Sequence, residues 1–281
     1  MASSRFLVST EWLAARLGDP GLAVVDGSWH LPAAGRDGYR EYLAAHIPGA
    51  VFFDIDAIAD RSSGLPHMLP DAETFGRVVG AMGISDAQDI VVYDGTGLFS
   101  APRVWWTFRV FGARNVYILD GGFPAWRAEG RPVESGPPAA KTAVFHAALD
   151  AAQVKTAADI QSLLAKGSAE IVDARAADRF RGEAPEPRPG VRAGHMPGSK
   201  NLPFTEIVED GRLASAARIL EAMDAAGIDR TKPLITSCGS GVSAAILALA
   251  FDAAGQPVEG LYDGSWTEWG SRHDLPVATG E

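Results

Sequence analysis

Short runs of apolar residues alternate along this chain with longer segments in which apolar positions recur every three or four residues. The apolar runs cover residues 23–26, 90–93 and 116–119 in the first half, and 170–173, 233–236 and 258–262 in the second. Helical spacing is seen near 39–45, 71–82, 101–111 and 242–253, and a first helix over 11–17 would be capped by Ser9 or Thr10. Uniformly apolar strands separated by helices are typical of a parallel sheet covered on both faces. The pattern therefore predicts an α/β fold with mainly parallel sheets flanked by helices.

Three sequence segments recur in the same order in the two halves. His46-Ile-Pro-Gly-Ala matches His195-Met-Pro-Gly-Ser, and Val91-Val-Tyr-Asp-Gly-Thr-Gly matches Ile235-Thr-Ser-Cys-Gly-Ser-Gly. Leu119-Asp-Gly-Gly-Phe-Pro-Ala-Trp matches Tyr262-Asp-Gly-Ser-Trp-Thr-Glu-Trp. Two copies at a nearly constant separation indicate a duplicated domain rather than a solenoid. We therefore expect homologous domains over 1–136 and 150–281, joined by a linker over 134–142 that is rich in turn-forming residues.

The chain has one cysteine, Cys238, between the apolar run 233–236 and the helical segment that begins at Val242. Gly239 and Gly241 allow the backbone to turn tightly, so that the N–H groups of the loop through Ser243 surround the sulfur. The positive end of a helix dipole and these donors favour a thiolate. A lone cysteine is otherwise a small buried apolar residue. The strand, glycine loop and helix together predict a nucleophile.

The first copy has Asp94 at the position of this cysteine. A carboxylate cannot serve as a sulfur nucleophile, so we interpret Asp94 as a residue that satisfies the hydrogen bonds of its own loop. The sequence therefore predicts that the second domain is catalytic and that the first is an inactive copy.

Composition excludes several classes of protein. The 281 residues carry a formal net charge of −10, which argues against binding to nucleic acid. A single cysteine excludes an intrachain disulfide and fits a reducing compartment. No stretch approaches the roughly 20 apolar residues that span a bilayer, and the first residues lack the apolar core of a secretion signal. We expect a cytoplasmic protein with no membrane segment, no metal site and no cofactor.

The residues around these motifs resemble the two-domain rhodanese superfamily, and more narrowly its 3-mercaptopyruvate sulfurtransferase branch. The segments that carry the resemblance begin at Tyr42, Ser100 and Tyr262, together with the loop Cys238-Gly-Ser-Gly-Val-Ser-Ala. Members commonly have threonine where Ser243 stands. The resemblance implies transfer of sulfur from 3-mercaptopyruvate, through a persulfide on Cys238, to a thiol acceptor such as thioredoxin or to cyanide, with release of pyruvate.

The resemblance also assigns the substrate carboxylate to Arg179 and Arg188, whose rigid guanidinium groups bind carboxylates through two hydrogen bonds. Spacing alone favours a solvated charged loop in which Glu183 and Glu186 are the partners of these arginines. Gly239, Gly241, Val242 and Ser243 would contribute backbone donors to the substrate site.

Three residues of the first domain match site residues of relatives. Trp29 matches an aromatic side chain that lines the pocket, although a core position explains it nearly as well. Asp56 and His67 match a pair that would form a proton relay with Ser240. A histidine between two prolines is more often structural, and both interpretations remain open.

Three other functions are alternatives to that of a 3-mercaptopyruvate sulfurtransferase. A thiosulfate sulfurtransferase resembles this chain but has basic residues where Gly239 and Ser240 stand, to hold a doubly charged anion. A cysteine-dependent phosphatase needs an arginine at the sixth position after the cysteine, which here is Ala244. A non-catalytic binding or sulfur-relay module is disfavoured by the intact cysteine and glycine loop.

Overall fold

The computed structural model describes residues 4–139 and 141–280 and contains two five-stranded parallel sheets. The ends of the predicted domains (residues 1–3 and 281) and residue 140 in the predicted linker lie outside the described residues. The strands of the first sheet are β1 (Leu7–Val8), β2 (Leu22–Asp26), β3 (Val51–Phe52), β4 (Asp89–Tyr93) and β5 (Val116–Leu119). Those of the second are β6 (Val154–Lys155), β7 (Glu170–Asp173), β8 (Lys200–Asn201), β11 (Leu234–Ser237) and β12 (Gly260–Tyr262). An antiparallel hairpin, β9 (Val208–Glu209) and β10 (Arg212–Leu213), follows β8.

The two sheets have the same strand order, which confirms the duplicated α/β fold. The order is β1-β5-β4-β2-β3 in the first and β6-β12-β11-β7-β8 in the second, and every neighbouring pair is parallel. In both sheets the strand before the candidate loop, β4 or β11, lies at the centre. A central strand is buried on both faces, which explains why all residues of β4 from Ile90 to Tyr93 and all four residues of β11 are buried. The domain boundaries at 136 and 150 remain a prediction.

Helices cover both faces of each sheet. The first domain contains α1 (Thr10–Ala14), α2 (Gly38–Ala44), α3 (Ile55–Ile58), α4 (Ala72–Ala81), α5 (Ala101–Val110) and α6 (Gly122–Ala128). The second contains α7 (Ala157–Lys166), α8 (Ala177–Phe180), α9 (Ala216–Ala225), α10 (Ala244–Ala253) and α11 (Ser265–Ser271). Among the described residues, no helix is long and apolar enough to cross a membrane.

Two of the predicted helix boundaries are wrong by a few residues. Helix α1 ends at Ala14 instead of residue 17, because the chain turns there towards Gly18, whose φ is +86°. Ser9 is its N-cap and accepts a hydrogen bond from the backbone N–H of Trp12. Helix α10 begins at Ala244 instead of Val242 because the cysteine loop extends through Ser243, which is the N-cap.

The domains are joined through α5 and α10, which lie in one continuous apolar core. All residues of α10 from Ala244 to Phe251 are buried. A helix that is apolar all round is stable only between other elements, here its own sheet and α5 of the first domain. Since α10 follows the cysteine loop, this packing places the loop at the junction of the two domains.

Candidate active site

Cys238 follows β11 directly, at the carboxyl end of the second sheet, and its side chain is almost fully buried. Ligands of open parallel sheets gather at this edge. Gly241 in the loop has a φ of +79°, and a Cβ there would lie 2.7 Å from Nη1 of Arg103. The turn therefore requires glycine for both its backbone conformation and its close packing.

Four consecutive carbonyl groups of this loop are held by donors outside it. The contacts are Cys238 with the N–H of Trp266 at 2.9 Å, Gly239 with the N–H and Oγ1 of Thr267 at 2.9 and 2.6 Å, Ser240 with Nδ1 of His67 at 3.1 Å, and Gly241 with Nη1 of Arg103 at 3.4 Å. A trans peptide carries its N–H opposite its C=O. The N–H groups of the next residues in the loop therefore face away from these donors, as a site for a negatively charged sulfur requires.

The first copy, which has Asp94 in place of the cysteine, shows where such N–H groups converge. Oδ2 of Asp94 accepts hydrogen bonds from the backbone N–H groups of Phe99, Ser100 and Ala101 at 2.8–2.9 Å, and Oδ1 accepts one from Thr96 at 2.9 Å. The structure thus confirms Asp94 as a carboxylate that satisfies its loop. Since the two loops align on their glycines, the matching donors in the second copy belong to Ser240, Ser243, Ala244 and Ala245. In the second copy, the Cys238 thiolate would occupy the position of the Asp94 carboxylate and accept hydrogen bonds from these N–H groups.

Arg179, in α8, lies against this loop. Its Nη2 is 2.5 Å from Oε2 of Glu186, and a Cβ added to Gly239 would lie 3.3 Å from the same Nη2. Its Nε is buried and has no hydrogen-bond partner among the described residues. The expectation of a solvated loop is wrong for Glu186, whose side chain is 4% exposed and also pairs with Arg175. A buried donor without a partner beside the cysteine loop is what a substrate carboxylate would need.

Arg188 approaches from the same segment of the second domain and is half-buried. Burial lowers its pKa, and the charge of the nearby Cys238 opposes this effect. The side chain lines an open cleft of about 670 Å³ together with Asp56, His67 and Thr267. The structure therefore brings both predicted arginines to the surroundings of Cys238, whereas their role in binding a substrate stays a prediction.

Asp56, His67 and Trp29 form a connected group in the first domain. Nε2 of His67 is 3.0 Å from Oδ1 of Asp56, and Nε1 of Trp29 donates to Oδ2 of Asp56 at 2.9 Å. The hydrogen bond from His67 holds the pKa of Asp56 below its ordinary value. The ring of Trp29 packs edge-on against His67, with the ring centroids 4.9 Å apart. Trp29 is thus half-buried, packs against the edge of the hydrophobic core and contacts both Asp56 and His67, and its role in lining the substrate pocket stays a prediction.

The structure joins His67 to Ser240 through the backbone. Nδ1 of His67 contacts the backbone carbonyl of Ser240 rather than its hydroxyl. Because Asp56 occupies the other ring nitrogen, the ring has no nitrogen left for the hydroxyl. In the described structure His67 therefore helps to hold the loop through the Ser240 carbonyl, and a relay that includes the Ser240 hydroxyl stays a prediction.

Sequence reasoning missed two buried charged residues behind the loop. Nη2 of Arg103 contacts Oδ1 of Asp263 at 2.7 Å and the carbonyl of His67 at 2.5 Å. Oδ2 of Asp263 accepts the backbone N–H of Leu69 at 2.9 Å. Arg103 and Leu69 belong to the first domain and Asp263 to the second, so no pattern along the chain predicts the contact. In the part of the chain that the structure describes, no cluster of histidine, cysteine or acidic side chains could hold a metal ion.

A cysteine at the carboxyl end of a parallel sheet, in a loop of N–H donors, and a first copy of the same fold with Asp94 in place of the cysteine define a two-domain protein of the rhodanese type. The sequence profile of the Rhodanese-like domain matches residues 9–129 and 156–272, and the chain belongs to this family. This match confirms the prediction of two rhodanese-like domains, and the relatives described next confirm the prediction of a sulfurtransferase.

Particular relatives narrow this assignment. The 3-mercaptopyruvate sulfurtransferase of Rattus norvegicus is 46% identical over 94% of this chain and 92% of its own length. The thiosulfate sulfurtransferase of Bos taurus is 45% identical over 94% of this chain and 92% of its own. The crystal structure of SseA from Escherichia coli, described as a 3-mercaptopyruvate sulfotransferase, superposes with a TM-score of 0.86 at 40% identity and covers 93% of this chain and 98% of that protein.

Proposed function

We propose that this protein transfers sulfur from 3-mercaptopyruvate to a thiol acceptor through a persulfide on Cys238, releasing pyruvate. The observation that carries the proposal is the buried Nε of Arg179, which has no partner among the described residues and lies beside a loop built to hold an anion. A donor that combines a carboxylate with a reactive sulfur satisfies both features at once.

The reaction has two displacement steps at sulfur. The Cys238 thiolate attacks the sulfur of 3-mercaptopyruvate, and the carbon–sulfur bond breaks with its electron pair on carbon. The resulting enolate takes a proton to become pyruvate, and the loop N–H groups stabilise the negative persulfide. A thiolate acceptor then attacks the outer sulfur and releases the Cys238 thiolate.

The choice between donors depends on charge near the sulfur. Thiosulfate is a dianion whose charge lies beside the transferred atom, whereas 3-mercaptopyruvate has one carboxylate at its far end. Gly239 and Ser240 carry no charge themselves, so the positive charge at the site comes from Arg179, whose guanidinium lies beside Gly239, and from Arg188, which lines the cleft. This arrangement supports 3-mercaptopyruvate. Thiosulfate is the alternative donor, because a thiosulfate sulfurtransferase is among the relatives of similar identity.

The acceptor and the location are further parts of the proposal. The open cleft beside Arg188 admits a small thiol, cyanide or the exposed cysteine of a protein such as thioredoxin. The lone cysteine favours a reducing compartment such as the cytoplasm. One relative is named as mitochondrial, so the location needs its own measurement.

The proposal is tested by separating persulfide formation from turnover. Incubation with 3-mercaptopyruvate and no acceptor should add about one sulfur atom per chain, seen by intact-mass analysis, and should release pyruvate in equal amount. Cys238→Ser should show neither product. The wild-type kcat/KM should be higher for 3-mercaptopyruvate than for thiosulfate, and the reverse order would refute the donor assignment. Sulfur transfer by Cys238→Ser at the wild-type rate would refute the persulfide mechanism.

A further inference from the structure

The first three residues of α11 contact the peptide groups on both sides of the nucleophile. Oγ of Ser265 accepts the backbone N–H of Cys238 at 3.3 Å, and the N–H of Trp266 donates to the Cys238 carbonyl. Thr267 donates both its N–H and its hydroxyl to the carbonyl of Gly239. The backbone around the sulfur is therefore fixed by side-chain and backbone groups of residues that follow β12, a separate strand of the sheet.

The first copy lacks three of these four contacts. The matching residues there are Gly122, Phe123 and Pro124, and only the bond from Phe123 N–H to the Asp94 carbonyl is kept, at 3.0 Å. Glycine has no hydroxyl, and proline has neither an N–H nor a hydroxyl. The contacts made by Ser265 and Thr267 thus occur only in the copy that has a cysteine.

Ser265 also adopts a backbone conformation that disfavours any side chain. Its φ is +50°, close to the +55° of Gly122 at the matching position, and its side chain is fully buried. The hydroxyl donates to the carbonyl of Tyr262 at 2.8 Å and accepts from Cys238. A strained residue where the other copy has glycine points to a requirement for the hydroxyl itself.

We infer that Ser265 and Thr267 are positioning residues for the sulfur step. Thr267 holds the Gly239 carbonyl towards α11, so the N–H of Ser240 in the same peptide faces the opposite way. In the first copy, the matching N–H of Thr96 donates to the Asp94 carboxylate. Thr267 therefore stabilises negative sulfur through this peptide, and Ser265 sets the direction in which the Cys238 side chain leaves the backbone. The inference rests on the proposed function only in taking Cys238 as the sulfur carrier.

Substitutions at Thr267 separate its two donors. Thr267→Ser keeps both, Thr267→Val keeps only the N–H, and Thr267→Pro copies the inactive domain and removes both. Proline is compatible with the first turn of a helix, as Pro124 shows in α6. We expect near wild-type behaviour for Thr267→Ser and a roughly tenfold slower alkylation of Cys238 by iodoacetamide at neutral pH for Thr267→Pro, with Thr267→Val between them. The midpoint of the alkylation–pH profile should move upwards in the same order.

Substitutions at Ser265 separate the hydroxyl from backbone strain. Ser265→Ala and Ser265→Gly both lack the hydroxyl, but only glycine relieves the strained φ. If the hydroxyl is the requirement, both should slow alkylation to a similar extent. Ser199→Ala is the matched control, because it removes a buried hydroxyl bond to the Met196 carbonyl at 2.7 Å, in the same domain but away from the loop. It should leave the profile unchanged.

With 3-mercaptopyruvate, the Thr267→Pro variant should lose kcat while its KM changes little, because Arg179 and Arg188 are untouched. An unchanged alkylation profile in Thr267→Pro and Ser265→Ala would overturn the inference, and so would an equal shift in Ser199→Ala. Because iodoacetamide needs no substrate, these results hold even if 3-mercaptopyruvate is not the donor. Failure of the proposed function is recognised separately, by the absence of persulfide in the wild type.

Discussion

Two arginine–aspartate ion pairs join the two domains, one with its arginine in the first domain and the other with its arginine in the second. Because one pair is buried and the other exposed, we expect variants of the two arginines to differ greatly in stability. Arg103 of the first domain pairs with Asp263 of the second, and Arg212 of the second pairs with Asp120 of the first. Asp263 and Asp120 occupy matching positions after β12 and β5. The Arg103 and Asp263 side chains are 2% and 3% exposed, whereas those of Arg212 and Asp120 are 44% and 29% exposed.

Replacing each arginine by methionine keeps the apolar stem and removes the charge. Arg103→Met leaves a buried carboxylate whose remaining bond in the described structure is the Leu69 N–H, and breaking a buried pair in this way costs about 3–5 kcal/mol. Arg212→Met should cost only about 0–1 kcal/mol, because water solvates the remaining Asp120. We therefore expect the free energy of unfolding in urea to differ between the two variants by roughly 3 kcal/mol.

The double variant Arg103→Met/Asp263→Leu provides the control. It removes the unpaired carboxylate and should recover part of the loss, since the cost of the single variant is mostly that of an isolated buried charge. Arg103→Met should also slow persulfide formation, because Arg103 holds the Gly241 carbonyl. Equal losses of stability for Arg103→Met and Arg212→Met would refute the reasoning, as would a double variant no more stable than Arg103→Met.

Three further predictions concern single residues. Arg179→Ala should lower kcat/KM for 3-mercaptopyruvate by an amount that corresponds to a loss of about 2–4 kcal/mol in transition-state stabilisation, while the rate of alkylation by iodoacetamide hardly changes. An equal fall in both rates would mean that Arg179 acts on the thiolate or the fold. Asp94→Ala leaves the backbone N–H groups of its loop without their acceptor, and should cost about 2–4 kcal/mol in urea unfolding; a loss below about 0.5 kcal/mol would contradict its structural role. Burial raises the pKa of Asp26 from 3.8 to about 6, so the folded state binds more protons than the unfolded state between these values, and this group makes stability fall as pH rises through that window. Asp26→Asn should therefore gain stability relative to the wild type across pH 4–6, by about 2–3 kcal/mol at the upper end, and a pH-independent difference in urea midpoints would refute this.

The features of the fold that could be predicted from the sequence are those determined by residues close together in the chain. The central strands β4 and β11 could be predicted from their apolar residues, because each strand is buried on both faces, and the loop that follows each strand could be predicted from its glycines. The contacts that escaped prediction join elements distant in the chain. His67 meets the Ser240 carbonyl, and Arg103 meets Asp263, only because α5 and α10 pack together.

The burial of Glu186 is another feature that could not be predicted from the sequence. Its position among arginines and prolines along the chain suggests an exposed loop, but its carboxylate is buried between Arg175 and Arg179. Burial depends on how the segment folds back over β7, which charge spacing does not reveal. The apolar pattern therefore predicts the sheets well, whereas the ion pairs of the site required the structure.

The all-round burial of α10 has a consequence for how such a chain could be divided. Cut at the linker, the second half would keep its sheet, its cysteine and its loop, but it would expose the α10 surface that α5 now covers. It would also lose the His67 and Arg103 donors to the loop carbonyls. The second half alone would thus behave as an unassembled subunit. To be both soluble and reactive, it would have to bind another copy of itself or the other half supplied in trans. Covalent fusion guarantees that partner at every concentration.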